Sequence, residues 1–301
     1  MDKNQLLLDL QKIQSIAAAS KWTRLFHNPF RYINAIGFRL FIYPFTHKEK
    51  RLGSKVFWGK EMLITLPSAT DIYLLKGKTH TSEIRLVRFL INNLSNSSTF
   101  LDIGAHYGYY SMLVAELTQG NIRCIEASND SYDVLLENIK DNPSTKATHC
   151  AVSDINEDIT FYEFDSQYSE YSATDVSQFE NEDWYKNHPP KKIVIPGTTI
   201  DHFLYSNSFF PEFIKMDVEG AEFKAIKGGQ KFFQEYSPVL VMEYLAPERQ
   251  NTAHQNAVEL LRSWGYQSYS IQNDGTLKPE SNLDDYLKRA DLDSDNIVLK
   301  K

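Results

Sequence analysis

The segment FLDIGAHYGYYS, from Phe100 to Ser111, constrains the fold of this chain more than any other. It starts with a short apolar run that fits a buried strand, and the apolar residues after the turn recur with helical spacing. Gly104 and Gly108 lie in that turn, where glycine lets the backbone pass close to a ligand. Glu126 ends the next apolar run and can accept hydrogen bonds from ribose hydroxyls. The pattern predicts a strand, a turn and a helix around a nucleotide-type cofactor.

The spacing of the glycines separates two classes of cofactor. A dinucleotide-binding turn has the order G-x-G-x-x-G, whereas this chain has G-A-H-Y-G-Y and lacks the middle glycine that admits a pyrophosphate. This disfavours an NAD-dependent oxidoreductase. The order D-x-G-x-x-x-G, which begins at Asp102, is instead similar to the first motif of S-adenosylmethionine-dependent methyltransferases. The alternative is that the two glycines serve only the packing of a strand-helix-strand unit.

Composition favours one globular α/β domain with additions. The chain has 301 residues, and its 42% hydrophobic content is enough to bury a substantial core. Cys124 and Cys150 lie in apolar runs, and no secretory signal precedes them, so we expect reduced thiols and a cytoplasmic protein. The sequence has no apolar run of about 18 residues, the length that spans a membrane.

Charge is distributed unevenly along the chain. The first 55 residues carry ten Lys or Arg side chains against three acidic ones, although the whole chain has a net charge of −7. The acidic remainder argues against a nucleic-acid partner. Between residues 20 and 55, aromatic side chains are mixed with the basic ones, which is typical of segments at anionic membrane surfaces. Two interpretations stay open: peripheral membrane contact, or packing onto the body or a second subunit of a homo-oligomer.

The rest of the chain alternates between strand and helix patterns. Residues 56–75 predict short strands around a turn at Pro67, residues 83–94 predict a helix, and a later helix is expected to begin at Glu219. Such alternation predicts a parallel sheet. Residues 165–190 are rich in Ser, Tyr and acidic residues without periodicity, so they predict an insertion on the substrate side or a solvated loop.

Six motifs in order resemble the FkbM family of S-adenosylmethionine-dependent methyltransferases, and they cover roughly residues 83–244. The motifs are FLDIGAHYGYYS, IEASNDSYDVLLENIKDN, ATHCAVSD, TTIDHFL, FIKMDVEGAEFKAIKGG and PVLVMEY. In one departure, His106 occupies a position where the family commonly has Asn.

The resemblance implies an α/β fold with a Rossmann-like, seven-stranded class I methyltransferase sheet in three layers. Its sixth and seventh strands are expected to form an antiparallel pair near the C-terminus. The methyltransferase domain then covers residues 56–301, and a basic, aromatic, helical extension covers residues 1–55. The resemblance also implies O-methylation of a hydroxyl group on a small-molecule or glycan acceptor, such as a sugar or a secondary metabolite.

The candidate residues for binding S-adenosylmethionine lie in the glycine turn and at strand ends. Glu126 is expected to bind the ribose, Asp102 to order the turn, and two residues after the third strand to approach the adenine. The full set is Asp102, Gly104, Ala105, Gly108, Tyr109, Glu126, Ala127, Ser153, Asp154 and Asp217.

The candidate catalytic residues are Asp217, Glu219, Glu243 and His106. Methyl transfer needs an acceptor oxygen in line with the methyl group and a group that takes the hydroxyl proton. Asp217 is the favoured general base or metal ligand, and Glu243 would complete a Mg²⁺ site with it. Glu219 alternatively caps its helix, and His106 is either a base or a locally bonded turn residue.

Two functional hypotheses therefore come from the sequence. The first is a methyltransferase that acts on a hydroxyl group. The second is a non-catalytic binding module in glycan assembly, which keeps the cofactor fold and docks through its N-terminal region.

Overall fold

Alternating strands and helices from Phe100 onward build one mixed sheet in the computed structural model, which describes residues 2–176, 179–180 and 182–301. The helices are α1 (Lys3–Ala17), α2 (Lys21–His27), α3 (Pro29–Gly37), α4 (Tyr43–Thr46), α5 (Thr70–Leu75), α6 (Thr81–Asn93), α7 (Tyr109–Leu117), α8 (Asn129–Ile139), α9 (Ile200–Ser206), α10 (Glu222–Lys227), α11 (Gln230–Tyr236), α12 (Thr252–Ser263) and α13 (Leu283–Ala290). The strands are β1 (Lys50–Lys55), β2 (Glu61–Leu66), β3 (Phe100–Ile103), β4 (Ile122–Glu126), β5 (Thr145–His149), β6 (Ala151–Val152), β7 (Ile159–Glu163), β8 (Lys191–Ile195), β9 (Gly197–Thr198), β10 (Phe213–Met216), β11 (Val239–Leu245), β12 (Gln267–Ile271), β13 (Leu277–Pro279) and β14 (Ser294–Lys300).

The large sheet has the strand order β13-β12-β14-β11-β10-β3-β4-β5. Strands β5, β4, β3, β10 and β11 are parallel, and β14 is antiparallel to both β11 and β12. This confirms the predicted Rossmann-like methyltransferase sheet and its antiparallel C-terminal pair. The sheet has eight strands instead of the expected seven, because the short β13 pairs with β12 as an additional edge strand. Strand order reverses between β3 and β10, and ligands of such sheets bind at that switch point.

Helices cover both faces of the sheet, which gives the predicted three layers. Successive side chains of a strand point to opposite faces, so Phe100 and Leu101 of β3 belong to two different hydrophobic clusters. The cluster around Phe100 takes residues from α1, α6, α7 and α8, and the cluster around Leu101 takes residues from α9 to α13. The burial on both faces holds the strand ends in fixed positions.

Two elements differ from the sequence prediction. Thr70–Leu75 is helix α5 instead of a strand, because the short apolar run buries Ile72 and Leu75, which share one side of a helical turn. Helix α10 begins at Glu222 and not at Glu219, because Glu219 and Gly220 have positive φ angles of 49° and 93°. The loop that precedes α10 is therefore part of the candidate site.

The N-terminal extension is packed into the body of the protein. Helix α1 buries Leu6, Leu10 and Ile13 in the same cluster as Phe100 of the central sheet. The expected division between residues 55 and 56 falls at the end of β1, which pairs antiparallel with β2. Because the extension shares this core, its removal would expose apolar surface of the body.

We expect Leu10→Ala to lower the free energy of unfolding by about 2–5 kcal/mol, because a fully buried leucine leaves a cavity. Leu8→Ala on the same helix is the matched control, since Leu8 is 55% exposed, and it should cost less than about 0.5 kcal/mol. Chemical denaturation of both variants measures the difference. Equal losses would show that α1 is not part of the core.

Candidate active site

The glycine turn after β3 passes directly against the end of β10. Gly104 has a φ of +73°, and a Cβ atom at this position would lie 1.8 Å from the carbonyl oxygen of Asp217. The backbone N–H groups of Gly104 and Ala105 both donate to the carbonyl oxygen of Ile125, at 2.9 and 3.1 Å. Glycine is required here for its backbone angle and for the close approach. The turn therefore joins the ends of β3, β4 and β10 at one point.

Glu126 is buried at the end of β4 and holds the glycine turn from the other side. Its carboxylate accepts the backbone N–H of His106 at 2.7 Å and that of Ser128 at 2.8 Å. Burial raises the pKa of Glu126 to about 7, although these two N–H groups oppose the shift. A carboxylate has about four acceptor positions, so Glu126 keeps capacity for the hydroxyls of a ligand.

Lys215 is a buried cation between two carboxylates. It lies opposite Asp102 in the register of β10 and β3, and its Nζ is 3.9 Å from Asp102 Oδ1. The same Nζ donates to the carbonyl oxygen of Gly104 at 3.1 Å and to Asp217 Oδ2 at 3.3 Å. Burial alone would lower the pKa of Lys215, but the carboxylates of Asp217 and Asp102 raise it. Lys215 is therefore charged, and it links the turn to the end of β10.

Three carboxylates gather beyond the ends of β10 and β11. One oxygen from each of Asp217, Glu219 and Glu243 lies within 4.8 Å of the other two. Burial acts to raise the pKa of Asp217, but Lys215 and Lys78 outweigh it and lower the pKa. Burial and the charge of Asp217 raise the pKa of Glu243 to about 7, and they raise that of Glu219 well above its usual value. The cluster thus combines an ionised carboxylate with two that hold protons more readily.

The turn and the carboxylates open into one cavity of about 390 Å³. This volume lies within the range of about 300–1,000 Å³ that is common for small-molecule sites. Nine of the candidate residues from the sequence line it: Gly104, Ala105, His106, Tyr109, Glu126, Ala127, Asp217, Glu219 and Glu243.

The other four candidates lie outside the lining of this cavity. Asp102 is fully buried beneath the turn, where it accepts a hydrogen bond of 2.6 Å from Ser111. Gly108 has a φ of +83° and precedes α7, so it shapes the turn. Ser153 is buried after β6, and the carboxylate of Asp154 pairs with Lys227 at 2.8 Å.

The His106 side chain already has partners within the protein. Its Nε2 lies 3.1 Å from the hydroxyl of Ser169, and its ring stacks on Tyr107 with the centroids 3.7 Å apart. Burial and the nearby Lys78 and Lys215 lower the pKa of His106 to about 3. Its imidazole is therefore neutral near pH 7, and its geometry favours a turn residue over a general base.

The structure adds residues to the site that the sequence motifs did not point to. Lys78 lies 3.2 Å from Glu83, and both line the cavity together with Tyr110, whose hydroxyl donates to Glu83. Lys78 precedes α6 and Glu83 lies in its first turn, and neither belongs to one of the six motifs. An acidic residue in a first helical turn is common without any site, so no sequence signal separated Glu83 from a capping residue.

The insertion after β7 forms one wall of the cavity. A short 3₁₀ helix, Ser169–Tyr171, lies in it, and Ser169, Glu170 and Tyr171 all line the cavity. Stacking of Tyr168 on Trp184, with centroids 4.2 Å apart, helps to hold the described part of this segment together. The insertion thus contributes side chains to the same cavity as the carboxylates.

The cavity residues fit S-adenosylmethionine. The glycine turn gives close backbone access, and Glu126 keeps free acceptor positions for ribose hydroxyls. Two observations bear on a Mg²⁺ ion in opposite directions. The three converging carboxylate oxygens favour it, whereas the ammonium of Lys215, 3.3 Å from Asp217, already supplies a positive charge there.

Comparison with known proteins is consistent with this geometry. The model of the methyltransferase FkbM domain matches residues 102–268. A search of curated proteins found no match to the sequence.

Among the described helices, none has both the length and the apolar character needed to cross a membrane.

Several solved structures are similar to this chain. The methyltransferase FkbM from Methylobacillus flagellatus KT shares 17% identity with a TM-score of 0.42, over 69% of this chain and 44% of that one. The precorrin-6y C5,15-methyltransferase from Geobacter metallireducens GS-15 shares 13% identity with a TM-score of 0.40, over 73% and 86%. Fibrillarin from Aeropyrum pernix, with natively bound S-adenosyl-L-methionine, shares 10% identity with a TM-score of 0.37, over 72% and 74%. This chain thus spans less than half of the Methylobacillus protein.

The sheet order and the site at its switch point define a class I methyltransferase fold, the fold of S-adenosylmethionine-dependent methylation. The family match covers more than half of the residues, and the chain belongs to the FkbM methyltransferase family.

We expect Gly104→Ala to lower the free energy of unfolding by more than about 1 kcal/mol, because its Cβ would meet a backbone oxygen at a positive φ. Gly37→Ala is the matched control, since Gly37 has a helical φ of −60° and open space around its Cβ position. The free energy of unfolding of Gly37→Ala should rise by about 0.5–1 kcal/mol. Thermal unfolding measures both, and an unchanged Gly104→Ala protein would contradict the described turn.

Proposed function

We propose that this protein transfers a methyl group from S-adenosylmethionine to a hydroxyl group of a sugar, glycan or secondary metabolite. The observation that carries the proposal is the pairing of two sites in one cavity. Glu126 and the glycine turn lie on one side, and the carboxylates of Asp217, Glu219 and Glu243 lie beyond the neighbouring strands. The first suits the ribose of the cofactor, and the second suits an alcohol that must lose a proton.

Glu243 is the general base that we propose on the grounds of its environment. A base works best when its pKa lies near the working pH, and the pKa of Glu243 is raised to about 7 by burial and Asp217. Asp217 stays ionised beside Lys215, so it is the weaker base and can orient the acceptor hydroxyl by accepting its hydrogen bond. S-adenosylmethionine, when bound, supplies the electrophilic methyl group.

The remaining residues position the reactants and exclude water. Lys215 holds the turn and Asp217 together through its bonds to the Gly104 carbonyl and the Asp217 carboxylate. Glu170 and Tyr171 of the insertion also line the cavity. Because the transfer is an in-line displacement, much of the rate enhancement would come from this fixed geometry.

At a pH above the Glu126 pKa of about 7, we expect Glu126→Gln to weaken the binding of S-adenosylhomocysteine roughly 10- to 100-fold, because it removes a charged hydrogen-bond acceptor worth about 1.5–3 kcal/mol. Glu137→Gln is the matched control, since Glu137 is exposed on α8 and should leave the affinity unchanged. Calorimetry measures the affinities, and thermal unfolding verifies that both variants are folded. Wild-type affinity in folded Glu126→Gln would remove Glu126 from the cofactor site.

At saturating S-adenosylmethionine, where titration of Glu126 does not limit cofactor binding, the turnover of the wild-type protein should rise with pH through about 7 and then level off, because only ionised Glu243 accepts the hydroxyl proton. Glu243→Gln should lose this dependence and reduce turnover by roughly 10²- to 10⁴-fold. The exposed Glu248→Gln is the control and should keep the wild-type profile. A rising limb that persists in Glu243→Gln would assign the base elsewhere.

Three comparisons distinguish the proposal from its alternatives. Extracts of cells with and without the protein would be searched by mass spectrometry for a metabolite or glycan that carries one added methyl group. Loss of that product with Asp217→Ala supports the enzyme, whereas full biological function of Asp217→Ala supports a non-catalytic binding module. Activity lost in a chelator and restored by Mg²⁺ would support the metal interpretation of Asp217 and Glu243.

A further inference from the structure

Residues 22–45 expose an unusual number of large apolar side chains. Of the fourteen large hydrophobic side chains exposed in the described residues, nine lie within this stretch. Single exposed apolar residues are common on proteins, whereas a contiguous group marks an interaction surface. We refer to its six most exposed members as the aromatic face: Trp22, Phe26, Phe30, Ile33, Phe41 and Phe45.

The aromatic face does not belong to the core of the protein. Helix α2 buries none of its side chains, and α3 buries only Ala35. Phe30 and Phe45 are 84% and 83% exposed. Exposure of this extent leaves nearly the whole rings in water, so a partner that covers them gains the full apolar area.

The segment that carries the aromatic face is nevertheless held firmly to the body. Arg31 donates to the backbone carbonyl of Tyr73 at 2.7 Å, and its guanidinium lies 5.0 Å from the centroid of the Tyr73 ring. Phe38 and Tyr43 are buried on the inner side of the same segment. The aromatic face is therefore presented by a folded structure and does not need the protein to open.

The charge around the aromatic face is positive. Residues 21–51 contain seven Lys or Arg side chains and one acidic residue, in a chain whose net charge is −7. Lys21, Arg39 and Lys48 are exposed beside the apolar side chains. Aromatic side chains that are mixed with basic ones suit the headgroup region of an anionic bilayer, where the rings enter the apolar boundary and the cations meet lipid phosphates.

A second copy of the chain fits the same surface less well. A two-fold symmetric contact would bring the same patch of each copy together, so the basic side chains would face one another. Like charges at an interface oppose association. The charge pattern thus favours an anionic surface over a two-fold symmetric contact with another copy of this chain.

We propose that the aromatic face docks this protein on an anionic lipid bilayer. The segment that carries the aromatic face also contacts the insertion, part of which lines the cavity. The hydroxyl of Tyr43 accepts the backbone N–H of Gln167 at 3.2 Å, and His47 Nδ1 lies 4.0 Å from Asp165, both in the insertion that lines the cavity. Docking does not depend on which acceptor is methylated.

Co-sedimentation of the full-length protein with vesicles tests the proposal. We expect binding to phosphatidylcholine vesicles that contain phosphatidylserine and much weaker binding to phosphatidylcholine alone. Phe30→Ser/Phe45→Ser should bind at least roughly tenfold more weakly, because two rings no longer enter the bilayer. The vesicle affinity of Arg39→Glu/Lys48→Glu should fall about fivefold or more per position, since each Lys or Arg near an anionic surface contributes electrostatic attraction to the lipids.

Ile155→Ser/Val194→Ser is the matched control, because both residues are exposed and apolar but lie outside residues 22–45. It should bind like the wild type. Circular dichroism and thermal unfolding confirm that the variants are folded, and each substituted side chain is exposed. Three results would overturn the proposal: no binding by the wild type, equal binding to both vesicle types, or a wild-type dimer that Phe30→Ser/Phe45→Ser converts to a monomer.

Discussion

The buried ammonium of Lys215 is the interaction on which the rest of the site depends. It lies between Asp102 and Asp217, at 3.9 and 3.3 Å, and it also donates to the carbonyl oxygen of Gly104. Two carboxylates at the same edge of a buried sheet would otherwise repel each other in a medium of low dielectric. Lys215 offsets this repulsion where the backbone ladder of β3 and β10 brings Asp102 and Asp217 to the same edge.

The same cation separates the properties of the neighbouring acids. Lys215 keeps Asp217 ionised, and ionised Asp217 together with burial raises the pKa values of Glu243 and Glu219. Sites that carry out proton transfer near neutral pH commonly place titratable groups in environments that push their pKa values apart. Burial and the anionic Asp217, which Lys215 keeps ionised, therefore leave Glu243 as a carboxylate that can take a proton near pH 7.

The sequence predicted the part of the molecule that rests on local rules. Gly104 and Glu126 were recognisable because a strand, a glycine turn and a second strand lie close together along the chain, and the antiparallel C-terminal pair followed from the family resemblance. Lys78, Glu83 and the 3₁₀ turn at Ser169 were not recognisable, because contacts between distant segments bring them to the cavity. Helix α5 was missed because a short apolar run fits a strand and a buried helix equally well.

A crystal structure with bound S-adenosylhomocysteine would show whether the switch point between β3 and β10 is the site of methyl transfer. We expect the ribose hydroxyls to bond to Glu126 and the sulfur to face the carboxylates of Asp217 and Glu243. An adenosyl group bound elsewhere, with Glu126 still occupied only by the N–H groups of His106 and Ser128, would contradict this expectation.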